Sequence, residues 1–215
     1  MKFLWKRART TPTPFGETLP HACPACDSDV RYSQLNQWIY LGSLPLFPYK
    51  NIDSFYKCVN CGSTYRKTIR DYMVIDPEKK AEYKHSLQEL FALTLVACAT
   101  YMAVIDEGMA RKEKKKLREI IDEVQGLADV HAVANRILNS EDKSKEEVFS
   151  LLRQATQQLT HEAIILLLAR VAEMLLADGE ISAEEKRLMH RFLGVAGLSD
   201  SLYETVLLQA RTLTV

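Results

Sequence analysis

Downstream of Asp76-Pro77, apolar residues recur at helical spacing as far as Val215, and this part is expected to be all α-helix. Asp76 has the character of a helix cap and Pro77 suits the first helical position. Ser144-Lys-Glu-Glu147, Ser182-Ala-Glu-Glu185 and Ser201-Leu-Tyr-Glu204 each have the S-x-x-E form of a capping box. Gly126, Gly179, Gly194 and Gly197 mark turns or helix ends, and Asn139–Ser144 forms a polar joint. The longest uncharged run is the sixteen residues Leu90–Ile105. A membrane-spanning helix needs about 20, so a buried core helix is expected. A second apolar helix carries Arg170 and Glu173 at its middle, which also speaks for a water-soluble core with no transmembrane span.

Upstream of Asp76 the pattern changes. Residues 1–20 contain Pro12, Pro14 and Pro20 and are expected to form an irregular arm. Residues 21–75 suit short strands and turns. The segment Trp38–Tyr49 is rich in aromatic and β-branched residues, and Pro45 and Pro48 bar a helix there. Tyr65–Val74 alternates well enough to close a small sheet. The expected fold is therefore multidomain: an arm (1–20), a small β-rich module (21–75) and an all-α domain (76–215).

The helical part repeats itself. A shift of 72 residues aligns 93–138 with 165–210 without a gap. Leu95 meets Leu167, Met102 meets Met174, Ile120 meets Phe192, Asp106 meets Asp178 and Glu113 meets Glu185. Internal duplication is the reading. In each copy an Asp ends one helix and a Glu opens the next, so Asp106, Glu113, Asp178 and Glu185 form a candidate oxygen-donor site for Ca²⁺ or Mg²⁺. Helix capping accounts for the same acids, most directly for Glu185 with Ser182. The first copy has Ala110 in place of Ser182.

The strongest chemical signal is the pair Cys23-Pro-Ala-Cys26 and Cys58-Val-Asn-Cys61, with Gly62 following. Each C-x-x-C turn aims two sulfurs at one point, and two facing turns make a tetrahedral thiolate site that suits zinc. Two disulfides are the rival reading. They require an oxidising compartment, and the N-terminus lacks an apolar run long enough for a signal peptide, so a cytoplasmic location is expected. His21 stands two residues before the first cysteine and is read as a bystander. Cys98 falls in the apolar run and is read as a small core residue.

Net charge is zero, but unevenly spread: residues 1–75 carry +5 and the remainder −5. Four thiolates around Zn²⁺ would carry a formal −2, which leaves the N-terminal excess small. Lys50, Lys57, Arg66, Lys67 and Arg70 alternate with Tyr49, Tyr56 and Tyr65, a chemistry that suits phosphate contact and base stacking. Nucleic-acid binding is thus the alternative to a protein-binding role. No Ser-His-Asp order, P-loop or H-E-x-x-H is present and the five histidines are scattered, so no enzyme is expected.

Residues 93–210, and above all Leu175-Leu-Ala-Asp-Gly-Glu-Ile-Ser182 followed by Glu184-Glu185 and Arg187-Leu188, resemble the TerB family, the tellurite-resistance fold shared with the N-terminal domain of DjlA-type co-chaperones. The resemblance implies a helical bundle of two related halves. It also implies a non-enzymatic bacterial stress-response module with proposed metal binding, acting through a protein partner or a membrane-linked complex. Asp178 and Glu185 match the family motif, and Asp106 and Glu113 match it in a degenerate copy. Residues 22–66 resemble short zinc-ribbon proteins, with Leu44-Pro-Leu-Phe-Pro48 between two knuckles. That resemblance implies structural zinc on Cys23, Cys26, Cys58 and Cys61.

Overall fold

A computed structural model describes residues 4–41, 43–72, 77–105, 111–139, 144–177, 179 and 181–213. It divides into two units, Met1–Leu87 with Gln158–Ala163, and Gln88–Gln157 with Ile164–Val215.

The first unit is built on an antiparallel sheet of β1 (Leu4–Pro12), β2 (Thr18–Leu19), β3 (Val30–Leu41), β4 (Leu44–Cys58) and β5 (Thr64–Tyr65), in the order β1-β3-β4-β5 with β2 beside β3. The segment expected to be an irregular arm is therefore largely strand. Its prolines lie at or beyond the end of β1, and Leu4 to Thr11 pair in unbroken register with Leu41 to Gln34. β3 and β4 form a long hairpin with register shifts at Leu35/Asn36, Gln37/Trp38 and Ile39/Tyr40. Such bulges let Pro45 and Pro48 sit in β4, because β5 covers only Tyr56 and Lys57 and the outer edge near the prolines demands no N–H donors. The expected closing strand over Tyr65–Val74 is also shorter than its alternation suggests. It ends at Tyr65 and gives way to a single helical turn, α1 (Ile69–Tyr72), whose Ile69 is buried against Tyr65.

Residues 158–163 are tied to this sheet by polar bonds. Arg66 Nε donates to the Leu159 carbonyl at 2.8 Å, and Thr64 and Thr160 hydroxyls lie 2.7 Å apart. Glu162 accepts from Thr10 Oγ1 and Lys57 Nζ. The backbone N–H of His161 donates to Asp53 Oδ2 at 2.9 Å, so a strand carboxylate serves an orphan donor at a helix start. Burial pushes the Asp53 carboxyl up, but bonds from the His161 ring and backbone outweigh it and hold the group below its ordinary value. A lowered carboxylate pKa stabilises above the unfolded value and loses that contribution as pH falls through the folded one. The first unit is accordingly expected to lose stability below about pH 4. Asp53→Asn should flatten that part of a pH titration of urea midpoints; an unchanged profile would dismiss the bond as a contributor.

The helices are α2 (Pro77–Ala103), α3 (Arg111–Val124), α4 (Val130–Asn139), α5 (Ser144–Gln158), α6 (His161–Leu176), α7 (Ala183–Val195) and α8 (Tyr203–Leu213). By length and composition Glu78–Ala103 is long and apolar enough to cross a membrane. Leu90, Ala92, Leu95–Ala99, Met102 and Ala103 are nevertheless packed away inside the protein, as in a core helix. α6 is buried on nearly every side, so neither helix needs a polar face. Phe149 of α5 meets Tyr101 and Phe192 edge-on, with ring centres 6.2 and 5.9 Å apart. Each fully buried Leu, Met or Phe here contributes about 1.5–3 kcal/mol.

The helix boundaries keep the 72-residue spacing seen in the sequence. α3 shifted by 72 falls on α7, and α4 on α8. The matched pairs Leu95/Leu167, Met102/Met174 and Ile120/Phe192 are all buried. Ser182 and Glu185 form the expected capping box of α7. The box expected at Ser201 does not form. Ser199 caps a 3-10 turn over Asp200–Leu202 instead, with Ser201 N–H donating to its hydroxyl, and α8 starts at Tyr203. α7 ends with Gly197 at φ 67° and Leu198 N–H donating back to the Leu193 carbonyl, a left-handed cap that favours glycine.

Candidate metal centre

The two C-x-x-C turns sit at the end of the sheet, one ahead of β3 and one at the end of β4. Their local structure is repeated almost bond for bond. The N–H of Cys23 donates to the Ser28 carbonyl at 3.0 Å, and that of Cys58 to the Ser63 carbonyl at 2.9 Å. The residue after each second cysteine adopts positive φ, 54° at Asp27 and 76° at Gly62. Gly62 takes that conformation without strain, and Asp is among the few other residues that tolerate it. Val59 N–H donates to the Asp29 carbonyl and joins the two turns.

This arrangement points all four sulfurs inward. Cys23 Sγ and Cys61 Sγ are 3.6 Å apart, Cys26 Sγ and Cys58 Sγ are 3.5 Å apart, and all four lie within 4.8 Å of one another. A tetrahedron with metal–sulfur bonds of about 2.3 Å has edges of about 3.8 Å. A disulfide would bring two sulfurs to about 2.05 Å, and all five cysteines are free. The four cysteines thus form a metal-binding site of ribbon type. His21 is not part of it: its ring is exposed and its Nδ1 faces the Asp27 carbonyl.

The surroundings favour thiolates on one side and oppose them on the other. The Ser28 hydroxyl and N–H pull the Cys26 thiol down to about 6. Burial opposes ionisation of Cys61, but bonds from Ser63 outweigh it. Cys23 is pushed up to about 12 by burial, against a bond with the Tyr65 hydroxyl at 3.3 Å. A divalent cation removes that penalty, since a coordinated thiol is deprotonated outright. N–H groups of Asn60 and Cys61 point at Cys58 Sγ from 3.4 Å. Ser28 and Ser63 went unnoticed in the sequence, although Cys-x-x-Cys-x-Ser occurs in both knuckles and marks them, and Tyr65, read there as a strand residue and a stacking ring, instead bonds Cys23.

The other sequence candidates are more dispersed. Asp106 and Asp178 lie outside the described residues. Glu185 is buried, with its carboxylate on the Ser182 N–H at 2.7 Å, and Glu113 stands half-buried in the first turn of α3. Among the described residues the four cysteines are the group of His, Cys, Asp and Glu side chains close enough to share an ion. Of the five basic residues, Lys57 is bonded to Glu162, Arg66 to the Leu159 carbonyl and Arg70 to Glu17. Lys67 lies over the Tyr32 ring at 5.4 Å, and Lys50 is exposed on β4. Cys98 is wholly buried, and burial alone pushes its thiol up.

No curated protein and no solved structure matched the chain. Residues 92–207 match the family described as tellurite resistance protein TerB, which covers more than half of the sequence and takes in α3 to α7 with most of the buried part of α2 and the start of α8. The chain belongs to the TerB family.

Proposed function

We propose that this is a non-enzymatic binding protein of tellurite-resistance type, in which the four cysteines hold one structural zinc and the TerB helices engage a protein partner. The observation that carries the zinc reading is the closed set of four sulfurs within 4.8 Å. Four thiolates complete a tetrahedron and leave no position for a reacting water, which fits a structural and not a catalytic ion. The matching helix spacing supports an origin of the two halves by duplication, and a cytoplasmic setting suits reduced thiols. Because three of the five basic candidates are held by internal partners, nucleic-acid binding through those residues is the weaker alternative.

Elemental mass spectrometry of the purified chain tests this reading. It should give one zinc per chain, retained through a mild chelator wash. Calcium or magnesium that washes out would add a second site at the acidic turns. Absence of zinc, or cysteines found paired by mass mapping, would overturn the structural-zinc assignment.

A further inference from the structure

The β3–β4 hairpin ends in an apolar tip that no described residue of the first unit covers. Leu41, Leu44, Leu46, Phe47 and Tyr49 are all exposed, Leu44 by 62% and Phe47 by 52%. They account for five of the twelve exposed large hydrophobic residues among those described, within nine positions of sequence. Exposed apolar residues scattered singly carry no message, but a contiguous group does.

The half of the hairpin nearest the tip is basic. Residues 1–16 and 35–52 contain no Asp or Glu, while Lys6, Arg7, Arg9 and Lys50 lie on its strands. Leu4 pairs with Leu41 at the tip and Lys6 pairs with Ile39, so the first described cation stands about 7 Å behind it at strand spacing. Lys6 lies over the Tyr49 ring, Arg7 over Tyr40 and Arg9 over Trp38, at 4.3, 5.4 and 5.7 Å. Rings and cations thus interleave behind the leucines of the turn, with Lys6 level with Ile39 and Phe47. Amphipathic interfacial helices bury an apolar face about 5–10 Å into the headgroup boundary, a depth that takes in the aliphatic end, and basic residues near the surface add attraction to anionic lipid.

We propose that the hairpin tip inserts into the surface of an anionic lipid bilayer. Charge complementarity selects this occupant. A second copy would bring the same cations face to face. Single-stranded nucleic acid needs open ring faces, yet the Tyr40, Trp38 and Tyr49 rings are already overlain by cations, and exposed leucines do not stack on bases.

Co-sedimentation of the full-length protein with vesicles of phosphatidylcholine alone, or mixed with phosphatidylglycerol, tests the proposal. Binding should require the anionic lipid, fall with added salt, and weaken about tenfold or more in Leu44→Ser/Phe47→Ser. That variant replaces exposed side chains, so its metal content and thermal midpoint should match the parent. Arg9→Gln should weaken binding less and leave the lipid requirement intact. Failure to bind the mixed vesicles, equal binding to the neutral ones, or full binding by the tip variant would each overturn it. So would salt-sensitive binding to a single-stranded oligonucleotide in place of vesicles, or a dimer that the tip substitutions dissolve.

Discussion

Cys58→Ser is expected to abolish the folded sheet of the first unit. Both tryptophans of the chain lie on it, Trp5 in β1 and Trp38 in β3, so tryptophan emission reports its state. The main apolar cluster around the knuckles is small: Leu19, Ala22, Val30, Tyr56, Tyr65 and Ile69, together with Cys23 and Cys58 themselves. Two of its eight buried members therefore belong to the four-cysteine site. A cluster of this size supplies only a few kcal/mol once chain entropy is subtracted, whereas structural zinc sites in small peptides contribute about 10–16 kcal/mol. Losing one of four thiolates should remove a large share of that and exceed the unit's margin. The expected result is a red-shifted, denaturant-insensitive tryptophan signal with zinc lost from the protein. Strong chelation of the unaltered chain should reproduce it. Cys98→Ala is the control, because Cys98 lies alone in the core of the other unit, and it should keep both zinc and emission. A Cys58→Ser protein with parental emission and zinc content would mean that the sheet does not depend on the metal.

What the sequence revealed about this unit followed from chemistry that spacing encodes. Two C-x-x-C turns announce their sulfurs, and the structure brings those four together. The helical unit was legible for a similar reason: long apolar runs and the S-x-x-E box at Ser182 act locally, within one turn. The misses have the opposite character. β1 was hidden because Leu4–Pro12 holds Lys6, Arg7 and Arg9 and gains its strand character from pairing with β3, some thirty residues away. The bonds from Asp53 to His161 and from Arg66 to Leu159 cross about a hundred residues, and no local pattern foretells them. At Ser201 the local signal was present but a competitor two residues earlier, Ser199, took the cap.

The largest effect expected in the helical unit comes from Glu173, whose importance as a charge the sequence did not disclose. Only 1% of its side chain is exposed, yet both carboxylate oxygens are paired. Oε1 accepts from Arg170 Nη1 at 2.6 Å, and Oε2 from Lys116 Nζ at 3.0 Å. Arg170 reaches on to Glu123, and Lys116 to Glu119 at 3.1 Å. Burial opposes the charge on Lys116, but its bonds to Glu173 and Glu119 outweigh it and raise its pKa. The network thus links α3 to α6 through one buried anion between two cations. Glu173→Ala would remove the anion and leave Arg170 and Lys116 facing each other at the edge of the core. Breaking a buried pair in this way costs about 3–5 kcal/mol, against a total of about 5–15 kcal/mol for a typical domain. The urea midpoint of the far-ultraviolet helical signal should fall by about a fifth or more. The pair is not expected to exceed a hydrophobic equivalent in net worth, since desolvating charges offsets much of their attraction. Glu173→Leu combined with Lys116→Met, with Arg170 still able to bond Glu123, should therefore recover most of the loss. A cost below about 1 kcal/mol for Glu173→Ala would place these charges with ordinary surface pairs. Failure of the double replacement to recover stability would show that the network orients α3 on α6 in a way that apolar packing does not.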